Sequence, residues 1–193
     1  MKKVIAKAAG LGLALFGVMS LASCSASSFY SDWSKAGADI NQEVPFEYIS
    51  FDKAKEMKEN KETFLVMFGS PSDSQDVTDV QGICYDAYVT NQKNKIYFIN
   101  CEDASKVSVR EQYRKELDVK NVLSPSYSVI DPDDDGTLNG LVAVLYKNGS
   151  VSFDTSRAYA YDFCSYFATS DSKKVNIHSV AAYAWEYYPV KND

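Results

Sequence analysis

Histidine is nearly missing from this 193-residue chain, since His178 is the only one and stands in an apolar stretch near the C-terminus. Zinc sites take several His, Cys or carboxylate ligands, and a Ser-His-Asp triad needs an acid to orient its histidine. No acidic residue adjoins His178, and no glycine-rich phosphate-binding loop occurs anywhere. These absences argue against zinc enzymes, triad hydrolases and phosphate-loop nucleotide enzymes.

Clusters of positive charge are also absent. The formal net charge is −6, with 20 Lys and Arg against 26 Asp and Glu. An acidic chain without a basic patch lacks the charge that holds nucleic acid or docks a protein on anionic lipid. We therefore expect no nucleic-acid partner.

No apolar run is long enough to cross a bilayer. The longest uncharged one, from Ala8 to Leu21, has 14 residues and follows three lysines, as in the core of a signal peptide. It ends in Leu21-Ala22-Ser23-Cys24, which resembles the lipobox of bacterial lipoproteins. In that family the peptidase cleaves before the cysteine, whose sulfur carries a diacylglycerol. The alternative is an ordinary secretory signal that leaves Cys24 as a plain thiol.

The lipobox divides the chain into three predicted parts. Residues 1–23 are a lipoprotein signal peptide, residues 24–42 are a tether rich in Ser, Ala and Gly, and residues 43–193 form one domain. Removing the three lysines of the signal peptide changes the formal net charge from −6 to −9. Membrane attachment then depends on the acyl chains, which include fatty acids such as palmitate. The expected location is the extracytoplasmic side of the cell membrane.

Apolar runs and amphipathic segments alternate along the predicted domain. Strands are predicted at 46–49, 63–68, 95–100, 126–130, 141–146 and 150–153, and helices at 51–61, 74–90, 108–117, 159–167 and 180–188. Asn148-Gly149 between two of the strands is a strong hairpin signal. Alternating strands and helices followed by a hairpin predict an α/β fold with a central mixed β-sheet and helices on both faces.

Three segments occur in an order that is typical of one superfamily. They are KETFLVMFGSPS at 61–72, KIYFIN at 95–100 and LDVKNVLSPS at 117–126. In this order they resemble the thioredoxin-like superfamily, and within it the exported proteins sometimes called bacteriocin-transport accessory proteins. The resemblance implies a three-layer sandwich. It also implies a cis peptide bond before Pro125, with Pro125 beside the start of the active-site helix.

The redox motif of that family is degenerate here. Its two cysteines would fall at Asp73 and Asp76, and no cysteine occurs between Cys24 and Cys84. A carboxylate can neither attack a disulfide nor resolve a mixed disulfide. Asp73 is instead predicted to be a helix N-cap and Asp76 a first-turn charge, both favoured at a helix N-terminus. A ligand-binding role for the pair is the alternative.

Cysteines elsewhere in the mature chain leave one redox alternative. Cys84, Cys101 and Cys164 are far apart and odd in number, so at most one disulfide can form among them. Three buried thiols are the simpler interpretation. Cys101 is predicted to follow a strand at the sheet end that carries the active site, so a residual thiol–disulfide exchange role for it stays open.

The acidic segment after residue 130 resembles a calcium loop. Asp131, Asp133, Asp135 and Asn139 match the first, third, fifth and ninth positions of that motif. Position twelve is Val142 where a bidentate Glu is expected, and the segment joins two predicted strands rather than two helices. A solvated acidic turn explains the same residues. Calcium is the only cofactor that the sequence suggests.

The function that these features favour is binding rather than catalysis. We expect a membrane-anchored exported lipoprotein whose redox-inactive thioredoxin-like domain binds or scaffolds at the cell envelope. Its partners would be the lipid bilayer, through acylated Cys24, and envelope proteins. The alternatives are thiol–disulfide exchange through Cys101 and calcium-dependent surface binding through the loop at 131–135.

Overall fold

The computed structural model describes residues 22–102, 112–113, 115–119, 141–155 and 176–191, with side chains described from residue 28 onward. The predicted strand 126–130, the predicted helix 159–167, Pro125, Cys164 and the acidic loop lie outside these residues. Only part of the predicted helix 108–117 lies within them, and its described residues include helical positions at 112, 113, 115 and 116.

Within the described residues the chain forms a five-stranded mixed sheet and four helices. In chain order they are α1 (Ala22–Lys35), β1 (Phe46–Tyr48), α2 (Phe51–Glu59), β2 (Phe64–Gly69), α3 (Ser74–Val89), β3 (Ile96–Asn100), β4 (Val142–Lys147), β5 (Ser150–Asp154) and α4 (Ile177–Tyr187). The strand order is β1-β3-β2-β4-β5. Strands β1, β3 and β2 are parallel, whereas β4 is antiparallel to β2 and β5 to β4. The predicted α/β class with a central mixed sheet is confirmed.

Strand β2 is the centre of the sheet. All six of its residues are buried, and it pairs with β3 on one side and β4 on the other. Leu65 and Met67 join one core cluster, which also contains residues of α1, α3 and α4. Phe64, Val66 and Phe68 join a second cluster with residues of α2 and the segment near Tyr113. Burial on both faces explains why β2 is a continuous apolar run.

The hairpin between β4 and β5 forms as predicted. Asn148 and Gly149 have φ angles of 52° and 75°, as a type I′ turn requires, and Lys147 pairs with Ser150. A Cβ added at Gly149 would lie 2.5 Å from the carbonyl oxygen of Lys58. Glycine therefore suits both the positive φ angle and the close approach of the last turn of α2.

The segment predicted as a tether belongs largely to the folded core. Phe29 and Trp33 on α1 are fully buried, and the Trp33 Nε1–H donates a hydrogen bond of 2.9 Å to Tyr48 Oη. The Phe29 ring stacks on Phe46 at 4.9 Å between centroids and meets Phe98 edge-on at 5.2 Å. The tether prediction is therefore wrong from Phe29 onward. The small residues around Phe29 and Trp33 suggested a linker, but two aromatics four positions apart form an apolar helical stripe.

The burial of α1 predicts a large loss of stability when Trp33 is truncated. Trp33→Ala should lower the free energy of unfolding by about 3–5 kcal/mol, because it leaves a cavity in the first core cluster. Denaturant unfolding of the chain from residue 24 measures this change. The matched control is Lys35→Ala, an exposed position on the same helix, which should change stability by less than about 0.5 kcal/mol. If both substitutions changed the free energy of unfolding negligibly, this result would support the interpretation of this segment as a tether.

Candidate functional site

The two aspartates stand where β2 ends and α3 begins. The chain leaves β2 at Gly69 and turns through residues 70–72, with the Asp73 amide donating to the Ser70 carbonyl at 3.0 Å. The Cys101 amide, directly after β3, donates to the Gly69 carbonyl at 2.9 Å. Asp73, Asp76 and Cys101 therefore lie at the carboxyl ends of two parallel strands. Open α/β sheets commonly bind their ligands at this edge.

Asp73 caps helix α3. Its Oδ1 accepts hydrogen bonds from the amides of Gln75 at 2.8 Å and Asp76 at 3.1 Å, with Asp73 itself in an extended conformation. First-turn amides have no partner inside a helix, so a side-chain oxygen at this position stabilises the start of the helix. The predicted capping role is confirmed.

Asp76 lies in the first turn as predicted, but its environment differs from the prediction. The side chain is only 4% exposed, and its Oδ2 accepts a hydrogen bond of 2.8 Å from the Ser70 amide. Its Oδ1 is buried and has no hydrogen-bond partner among the described residues. Burial, assisted by the negative charges of Asp73 and Asp79, raises the pKa of Asp76 to about 8 against the opposing effect of the Ser70 amide.

The raised pKa makes Asp76 mostly a neutral acid at pH 7. The expected charge–dipole stabilisation by Asp76 is therefore wrong, although a negative charge is favoured at this end of a helix. The short turn after β2 folds the first turn of α3 back onto the strand end, and desolvation there outweighs the dipole. A neutral carboxyl can donate or accept a hydrogen bond, and it can exchange a proton near neutral pH.

The two described thiols are free and lie on opposite faces of the sheet. Cys84 packs against the first core cluster and Cys101 belongs to the second, so the sheet separates them. Burial raises the pKa of Cys84 to about 12. Burial and the nearby Asp76 raise the pKa of Cys101 well above its usual range. Cys101 does lie at the predicted end of the sheet, but it is 2% exposed.

His178 contacts an acid that the sequence did not reveal. Its Nδ1 lies 2.6 Å from Oδ2 of Asp86 on α3, which is 92 positions away in the chain. The imidazole covers Gly82, where an added Cβ would lie 2.4 Å from the ring. Both partners are more than a third exposed, so the pair adds little stability. The contact between His178 and Asp86 instead positions α4 on α3.

Metal binding is not supported by the described residues, among which no group of three or more His, Cys, Asp or Glu side chains is arranged to hold an ion. The calcium ligands predicted at Asp131, Asp133, Asp135 and Asn139 lie outside those residues, so calcium binding stays a prediction. The position of Pro125 beside α3 stays a prediction for the same reason.

Comparison with known proteins does not assign this chain to a family. No protein-family model matches the chain, and no match is found among curated proteins. Among the helices of the described residues, none has the length and hydropathy to span a bilayer.

The cap at Asp73 predicts a graded mutational series. Asp73→Ala removes the acceptor for two first-turn amides and should lower the free energy of unfolding by about 0.5–2 kcal/mol. Asp73→Asn and Asp73→Ser keep an accepting oxygen and should cost much less. Chemical denaturation of the three variants gives the order. An Asn variant as unstable as the Ala variant would contradict a pure capping role.

Burial of Asp76 predicts stability that falls as pH rises. The folded state keeps a proton that the unfolded chain releases between its ordinary pKa of 3.8 and about 8. The free energy of unfolding should therefore fall by up to about 1.4 kcal/mol per pH unit across this range. Asp76→Asn imitates the neutral acid, so this variant should lose that slope and exceed the wild type in stability at pH 8.

Urea denaturation from pH 4 to pH 9 measures this dependence. Asp52→Asn is the matched control, because Asp52 is an exposed aspartate in the first turn of α2, and it should keep the wild-type slope. Parallel pH profiles for the wild type and Asp76→Asn would show that Asp76 is ionised in the folded protein at neutral pH.

Proposed function

We propose that this chain is a lipid-anchored envelope protein whose thioredoxin-like domain binds partners and performs no thiol–disulfide exchange. In this proposal Cys24 carries the acyl anchor, and the domain is a three-layer sandwich with helices covering both faces of the sheet. Support comes from the sheet order β1-β3-β2-β4-β5 with its single parallel block, which is compatible with a thioredoxin-like fold. The lipobox in the sequence supports the anchor.

The observation that carries the proposal is the chemistry at the start of α3. Asp73 is occupied with capping, and Asp76 is a buried neutral acid. Thiol exchange needs an accessible thiol that ionises near ambient pH. Cys101, the described thiol nearest to the two aspartates, is buried with a raised pKa. These properties disfavour the alternative of exchange through Cys101.

A binding role is supported by exposed aromatic residues on α3. Tyr85, Tyr88 and Val89 are 67%, 72% and 61% exposed, and their spacing of three and four places them on one face of the helix. Tyrosine is enriched among the residues that contribute most to protein–protein interfaces. We propose this α3 tyrosine face as the surface that meets another envelope protein.

A thiol-exchange assay tests the proposal. The wild type and Cys101→Ser should both reduce insulin with dithiothreitol no faster than the background rate. The double variant Asp73→Cys, Asp76→Cys should form a reducible disulfide and gain exchange activity, because it restores two thiols at a helix N-terminus.

The matched control is Asp73→Ser, Asp76→Ser, which alters the same positions without adding sulfur and should stay at background. Wild-type turnover that disappears in Cys101→Ser would overturn the proposal. Failure of the double cysteine variant to form its disulfide would contradict the thioredoxin-like assignment of these positions.

A further inference from the structure

We propose that helix α1 holds the folded domain directly against the lipid bilayer, with no flexible tether between the acyl anchor and the hydrophobic core. The inference rests on the proposed acylation of Cys24. It adds the position of the domain relative to the bilayer. We propose that the start of α1 contacts a zwitterionic bilayer. The fold of α1 against the core then fixes the distance between the domain and the bilayer surface.

The first support is the short chain between the anchor and the core. Phe29 is fully buried and comes five positions after Cys24. Even a fully extended backbone would separate the two Cα atoms by at most about 18 Å. As residues of α1, which begins at Ala22, they are separated by about 7.5 Å along the helix axis. If residues 24–42 were instead a tether, its fully extended backbone could separate the anchor from the domain by about 60 Å.

The second support is that α1 cannot leave the core without breaking several contacts. Phe29 and Trp33 lie in ring contact with each other at 5.6 Å and with Phe98 at 5.2 and 5.5 Å. Ala38 and Val44, further along the chain, are buried in the same cluster. The segment from Phe29 to β1 is thus part of the domain, and it cannot extend away from the core to act as a spacer.

These contacts also define which part of the domain lies nearest the membrane. Helix α1 packs on β1, which lies at one edge of the sheet that the described residues form. Because the acyl anchor is at Cys24, the start of α1 faces the bilayer. The mature chain has a net charge of −9 by sequence, so a zwitterionic surface suits this approach better than an anionic one.

Energy transfer from Trp33 to the bilayer surface tests the distance. The acylated protein with Trp185→Phe, which leaves Trp33 as the only tryptophan, is reconstituted in phosphatidylcholine vesicles that contain a headgroup-labelled acceptor lipid. The comparison variant carries 15 Gly and Ser residues inserted between Ser25 and Ala26. Such an insertion has an end-to-end distance of about 20 Å. The insertion should therefore lower the transfer efficiency roughly twofold or more.

Equal transfer efficiency with and without the insertion would overturn the inference, because it would mean that a spacer already separates the domain from the bilayer. Vesicle flotation separates this failure from failure of the proposed anchor. The wild type should float with the vesicles, whereas Cys24→Ser should not. A wild type that does not float overturns the anchor and the inference together. A wild type that floats but shows no effect of the insertion overturns the inference alone.

Discussion

The lack of space at the end of β2 is the constraint on which the site depends. A Cβ on Gly69 would lie 2.3 Å from Leu141 Cδ2 and 3.2 Å from Asp76 Oδ2. Leu141, just before β4, and Asp76, in the first turn of α3, are thereby packed against the same backbone position. The carboxyl group is buried because the central strand, the edge of β4 and the start of the helix converge there.

Two opposing effects act on a carboxyl at this place. The exposed amides at a helix N-terminus favour negative charge, whereas removal from water favours the neutral acid. At Asp76 burial is the larger effect, as the raised pKa shows. The same burial acts on Cys101, where it suppresses the thiolate. At these two buried positions, burial therefore outweighs the helix N-terminus, which by itself lowers the pKa of an acidic group.

Sequence patterns predicted the features that local interactions determine. The hairpin at Asn148-Gly149 depends on two backbone angles, and the cap at Asp73 depends on amides two and three residues ahead, so both were predictable. Strand β2 was predictable because burial on both faces leaves a continuous apolar run. These features need no knowledge of distant residues.

Features that depend on distant contacts could not be predicted. The packing of α1 needs Phe46 and Phe98 as partners for Phe29, and the composition around α1 suggested a linker. The contact of His178 with Asp86 joins two helices far apart in the chain. The charge state of Asp76 depends on how tightly the turn folds back on β2, and the position of Asp76 in the first turn says nothing about this. Each case required the tertiary arrangement.

The central claim is that the Asp76 carboxyl at the start of α3 is buried and neutral at pH 7. The most direct test is the carboxyl ¹³C chemical shift of Asp76, followed by NMR as a function of pH. The account predicts a titration midpoint near 8. A midpoint near the ordinary aspartate value of about 4 would mean that the carboxylate is charged at neutral pH, and would contradict the claim.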